Sequence, residues 1–225
     1  MQPLHLKQNK AMKKQVLLTL SIVGVLTLNS CSKDDSNPPG NMQNDSILIS
    51  NLHAPQDTDY TQNPPVASGA FIKFDFETGD ITTSETDWDI AFRGTTILVN
   101  GGSSSGIVDA PERNGNAGAY LVDGLFDEIT TINKGAFIQD SPMGLAIPTG
   151  SGNGWYTYDP TLLAIYPIPG KVLVLRTADN KFAKVEILSY YKDAPEVINE
   201  QIALNDLRYY TFNYVYQDDE SANEF

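Results

Sequence analysis

The chain has 225 residues with 15 basic and 28 acidic side chains, a net charge of −13, and a single cysteine. An acidic field of that size repels phosphate backbones and anionic lipid surfaces, which excludes nucleic-acid binding and charge-driven membrane adsorption. One cysteine excludes an intrachain disulfide, and a structural Cys/His zinc site, which needs four such ligands, is excluded with it.

In chain order, the first informative stretch is residues 12–31. Lys13 and Lys14 precede an apolar run at 16–28, which ends at Leu28-Asn29-Ser30-Cys31. A basic n-region, a short apolar core and a small-residue site read as an export signal, with Met12 a better start than Met1. The apolar core is shorter than the roughly 20 residues that span a bilayer, so a permanent transmembrane helix is not expected. The site resembles a lipobox with Asn29 as a departure, and Cys31 stands where a bacterial lipoprotein is acylated. Removing residues 1–31 removes four lysines and no acid, leaving a net of −17. Residues 32–45 are rich in Ser, Asp, Asn, Pro and Gly and read as a flexible tether. Lys33-Asp34-Asp35 also resembles the signal that sends some lipoproteins of Gram-negative anaerobes to the outer cell surface.

From there the pattern is of strands. A single domain is expected over 46–217, with an acidic, frayed tail at 218–225. Ile47 to Ile49 fit an edge strand. Phe71, Lys73 and Asp75 alternate with Ile72, Phe74 and Phe76 before a turn at 77–80. Residues 81–86 read as a solvent-side strand. In 88–93, Trp88, Ile90 and Phe92 share one face and Asp89, Ala91 and Arg93 the other. Residues 95–99 form a further strand that stops at Asn100-Gly101-Gly102. Two long loops follow, at 103–116 and 139–153, with a strand and one helical turn around 125–129 between them. Long loops in compact domains are functional or disordered. Residues 171–191 form a β-hairpin with a two-residue turn at Asp179-Asn180. That turn pairs Val174 with Val185 and Val172 with Ile187 on one face, and leaves Leu175/Lys184 and Leu173/Glu186 on a half-exposed face. The last strand, 208–216, alternates Tyr210, Phe212, Tyr214 and Tyr216 with Tyr209, Thr211, Asn213 and Val215. The fold class is all-β, an antiparallel sandwich or meander with long finger-like loops and little helix.

Catalytic chemistry finds no support. The exported chain keeps one histidine, His53, and there is no G-x-S-x-G elbow to partner it. Asp87 and Asp89 flank Trp88 but read as turn solvation rather than as a glycosidase pair. The glycine-rich stretches at 101–106 and 150–154 lack the helix that phosphate cradling requires. A binding protein remains. Met143, in the second long loop, is a soft thioether donor of the kind that serves haem iron, or a hydrophobic loop contact. Trp155, Tyr156, Tyr158 and Tyr166 offer flat walls and phenol groups for a ligand, a stacking platform for glycans, or ordinary core.

WDIAFRG at 88–94, the Asn100-Gly101-Gly102 loop, GWYTYD at 154–159, YPIPGKVLVLRTADNKFAKVEILSYYKD at 166–193 and RYYTFNYVYQ at 208–217 resemble the HmuY-like haem-binding lipoproteins. The resemblance implies an all-β fold with a cleft between finger-like loops and an outer-membrane lipid anchor on Cys31 facing the exterior. It also implies haem capture, with transfer of the haem to a TonB-dependent outer-membrane receptor for iron acquisition. Members ligate haem iron with two histidines or two methionines. Met143 stands where the first ligand is expected, and the second falls between about Tyr156 and Tyr166, where there is neither His nor Met. Ligation by Tyr156, Tyr158 or Tyr166, five-coordinate haem and a different ligand are open, and bis-His ligation is ruled out. A surface glycan- or protein-binding β module without haem is the alternative expectation.

Overall fold

The computed structural model describes residues 45–225. The expected signal, the acylated Cys31 and all but the last residue of the tether lie outside that range. Among the described residues no helix is long and apolar enough to cross a membrane.

The strands are β1 (Ile47–His53), β2 (Asp57–Asp59), β3 (Val66–Ser68), β4 (Ile72–Asp75), β5 (Asp80–Thr82), β6 (Ile90–Arg93), β7 (Thr96–Val99), β8 (Gly118–Asp123), β9 (Tyr156–Asp159), β10 (Ala164–Pro167), β11 (Lys171–Arg176), β12 (Phe182–Tyr191) and β13 (Leu207–Gln217). A 3₁₀ turn spans Phe126–Glu128, and one short helix, α1, spans Glu200–Asn205. A five-stranded sheet in the order β1-β13-β12-β11-β8 and a four-stranded sheet in the order β5-β4-β6-β7 carry the fold, with β2-β3 and β9-β10 as two-stranded ribbons. Every pairing between these strands is antiparallel, as the sequence predicts.

The two sheets face each other across one aromatic core. Phe74, Ile90, Phe92 and Val99 of the small sheet meet Leu173, Leu175, Val185, Tyr210, Phe212 and Tyr214 of the large one. Phe74 meets Phe212 and Tyr214 edge-on at 5.5 and 5.9 Å, Phe92 meets Tyr210 tilted at 4.8 Å, and Phe92 stacks with Phe212 at 5.8 Å, within the range of geometries that aromatic pairs favour. Period-2 alternation explains why 210, 212 and 214 point inward together, as expected for the last strand.

The hairpin departs from its expected register by one residue. Val172 pairs with Glu186, Leu173 with Val185 and Val174 with Lys184. The loop comprises residues 178–180, with Asn180 at φ 72° closing it, and Thr177 and Lys181 paired across its base. A three-residue loop ending in a left-handed position shifts the register relative to a two-residue turn, and a one-residue slip exchanges every side chain's facing. Neither face of this hairpin is half exposed. Leu173, Leu175 and Val185 enter the inter-sheet core, while Val172, Val174, Phe182 and Val215 form a second buried cluster on the sheet's outer side.

That outer cluster explains the tail, which is not frayed. Phe225 is buried among Phe126, Ile132 and Val215, and its amide donates to Thr130 O at 2.9 Å. Lys184 is buried in the same layer. Its ammonium donates to Phe126 O at 2.8 Å and Ile129 O at 2.9 Å and lies over the Phe126 ring, so carbonyls replace its hydration shell while burial pulls its pKa down.

A third cluster, Phe71, Trp88, Ala91 and Leu98, covers the outer face of the small sheet, where Ile107, Ala110 and Leu145 from the two long loops pack on it. Trp88 therefore shares a face with Ala91 and not with Ile90 and Phe92. The regular strand begins only at Ile90, and the bend before it, with Trp88 Nε1 on Glu85 O, breaks the alternation.

Candidate functional site

The two long loops are anchored to the small sheet from both sides. Asn100, fully buried, donates from Nδ2 to Thr86 O and Trp88 O, and its Oδ1 accepts from the Asn114 and Gly115 amides. The first loop is thereby closed at its far end. Gly101 and Gly102 bridge to Asn116 and Asp140, and a Cβ at Gly101 would collide with Ala117 O, so this pair serves close backbone approach rather than phosphate binding.

Asp140 clamps the loops together. Its Oδ2 accepts from Arg113 Nη2 at 2.9 Å, Arg113 Nε at 3.2 Å and the Val99 amide at 3.1 Å, and its Oδ1 accepts from the Ala146 amide at 2.9 Å. The Arg113 and Asp140 side chains are almost wholly shielded from solvent. One carboxylate thus joins the first loop, the second loop and β7.

Between the loops lies a cleft of about 790 Å³, walled by Val66 and Ala67 of β3, Ile107 and Val108 of the first loop, and residues 141–145, Pro148 and Thr149 of the second. Its size falls within the range of small-molecule sites. Met143 lies on this cleft with its side chain 96% exposed. Arg93 lines it as well, at 2% exposure. Its Nη1 donates to Gly69 O at 3.0 Å and Val108 O at 2.6 Å, and its guanidinium lies 4.3 Å over the Phe71 ring. Burial draws its pKa down, and the Asp109 carboxylate opposes that. The sequence marks Asn100 only as a strand stop and a point of resemblance, and it does not single out Arg93, Arg113 or Asp140. The one available signal was an arginine in WDIAFRG on the strand face that it shares with Ala91, opposite Ile90 and Phe92.

The aromatic residues expected beside Met143 are elsewhere. Trp155 is 2% exposed, donates from its indole to Thr95 O at 3.1 Å and packs against Tyr156, Tyr190 and Tyr210. Tyr156 is buried in the same core. Tyr158 is exposed on the β9-β10 ribbon, and Tyr166, half-buried, lines a separate groove of about 530 Å³ with Tyr190, Tyr191 and Ile198. With Trp155 and Tyr156 in the core, no flat platform of three rings exists for sugar stacking. The structure brings Met143 together with the two loops but not with the four aromatics.

The remaining candidates resolve as ordinary structure. His53 stacks on Tyr209 at 4.3 Å on the exposed edge strand. Asp87 accepts hydroxyl bonds from Ser84 and Thr86 at the surface, whereas Asp89 is buried and accepts from the amides of Phe76 and Ala178. They do not form a pair. Burial pushes the Asp89 carboxyl up to about 6, against the pull of those two amides.

A family model described as HmuY protein matches residues 68–205. Among solved structures, the chain is similar to a Bacteroides fragilis protein assigned as a lipoprotein, with 16% identity, 80% of this chain and 93% of that one covered, and a TM-score of 0.45. It is also similar to an apo HmuY analog of Tannerella forsythia, with 16% identity, coverage of 78% and 96%, and a TM-score of 0.42. No curated protein matches it.

Proposed function

This chain belongs to the HmuY family, and from that premise we propose that it is a haemophore-like surface lipoprotein, not an enzyme, that takes up haem in the cleft between its two long loops. The observation that carries this reading is the convergence of both loops on one cleft with an exposed methionine at it. A thioether left in solvent contributes nothing to packing, and its use as a soft ligand to haem iron accounts for its position. Met143 is the one soft donor among the lining residues, which include no His, Cys or Tyr. Trp155, Tyr156, Tyr158 and Tyr166 are not needed as ligands in this reading, and the iron is five-coordinate or takes an exchangeable sixth ligand. The acyl chains on Cys31 hold the protein on the outer membrane facing the exterior, from which the haem passes to a TonB-dependent receptor.

Titrating haemin into the protein in the ferric and ferrous states tests the reading. A Soret shift is expected that Met143→Ala weakens. It should persist from pH 7 to pH 5.5, because a thioether gains no proton there whereas a histidine ligand would. No spectral change in either redox state refutes haem binding.

A further inference from the structure

Two polar atoms on the cleft lack partners. Among the described residues Arg93 Nε and Ser105 Oγ are shielded from solvent and make no hydrogen bond, and both residues line the same cleft. Buried polar atoms in native folds are paired as a rule, so two orphans on one concave surface require an explanation. Arg93 is also the one charged side chain among the lining residues, and it makes no ion pair among the described residues. Its Nη1 is satisfied by carbonyls that carry no countercharge. The rest of the lining mixes apolar side chains, among them Val66, Ile107, Val108, Leu145 and Met143, with the hydroxyls of Thr96, Ser105, Ser141 and Thr149.

We propose that Arg93 Nε and Ser105 Oγ form a carboxylate subsite that holds a propionate of the bound tetrapyrrole. The inference rests on the haem reading and specifies which group of the ligand is held at this point of the cleft. Two requirements are met together. A buried guanidinium that makes no ion pair among the described residues gains one, in the charge-assisted hydrogen bond that is stronger than a neutral one. An anionic ligand approaching a chain of net charge −13 meets a local cation that offsets the repulsive field. The hydroxyl of Ser105 is a free rotor that donates to either carboxylate oxygen.

The test compares three ligands on the protein and its variants: haemin, haemin dimethyl ester and protoporphyrin IX. Haemin should bind the unaltered protein about tenfold or more tightly than its dimethyl ester. Arg93→Met and Ser105→Ala should weaken haemin by a larger factor than they weaken the ester. Because both ligands meet the same variant, general damage to the fold cancels from that comparison. Protoporphyrin IX, with the same carboxylates and no iron, should respond to Arg93→Met and ignore Met143→Ala. Equal affinity for haemin and its ester on the unaltered protein overturns the subsite and leaves haem binding standing; a bridging water then satisfies the two atoms. Protoporphyrin binding that is indifferent to Arg93→Met also overturns it. Failure of all three ligands to bind removes both this inference and the haem reading.

Discussion

Arg113→Met isolates the clamp that shapes the cleft. In the folded chain Arg113 gives Asp140 two charge-assisted hydrogen bonds in a site closed to water. Removing one partner of a buried pair costs about 3–5 kcal/mol, because the survivor remains desolvated without its countercharge. Asp140 keeps the Val99 and Ala146 amides, which places Arg113→Met near the lower end, about 3 kcal/mol. For a domain of this size that lowers Tm by roughly 6–12 °C. Asp140→Ala should cost more, since it strands the buried guanidinium and adds two orphaned amides at about 1–3 kcal/mol each. Calorimetry measures the global cost, and hydrogen exchange at the Val99 and Ala146 amides reports whether the loops open separately from the sheets. The order Asp140→Ala worse than Arg113→Met should hold in 0.5 M salt, because buried pairs are weakly screened. A cost under about 1 kcal/mol for Arg113→Met, or the reverse order, refutes the reasoning.

Two further outcomes follow from buried groups. The Asp89 carboxyl is raised from 3.8 to about 6 when folded, so the folded chain holds a proton between those values that the unfolded chain has released. Stability should therefore fall by up to about 3 kcal/mol as pH rises through that window, and Asp89→Asn should remove this component; identical slopes in denaturant midpoints from pH 4 to 7 would contradict it. Phe225→Ala should cost about 3 kcal/mol, as for a core phenylalanine, whereas a frayed tail predicts a change within about 0.5 kcal/mol in the same unfolding assay.

Local pattern was enough for the fold class. Alternation at 210, 212 and 214, the strand that stops at Asn100-Gly101-Gly102, and the two long loops with Met143 in the second are all legible because each depends on residues within one strand or turn. The hairpin register was legible only in part: Asp179-Asn180 marks the turn, but whether Ala178 belongs to the loop depends on the Thr177–Lys181 pairing. For the aromatic run at 155–166 the sequence leaves ligand wall, stacking platform and ordinary core open together. Trp155 and Tyr156 lie in the core, Tyr158 is exposed and Tyr166 faces another groove, a division that strand pleat and sheet packing impose from outside the segment.

The chain by itself thus determined that it is acidic, all-β, poor in catalytic groups and furnished with a methionine in its second long loop, since composition and short-range periodicity carry that information. Only the tertiary structure decided what surrounds Met143. The cleft draws on residues from 65 to 149, and its clamp spans Arg113 and Asp140, which are far apart in sequence. Contacts at that separation leave no periodic trace in a strand. They arise when two sheets bury a common core and the loops they carry are forced onto the same outer face.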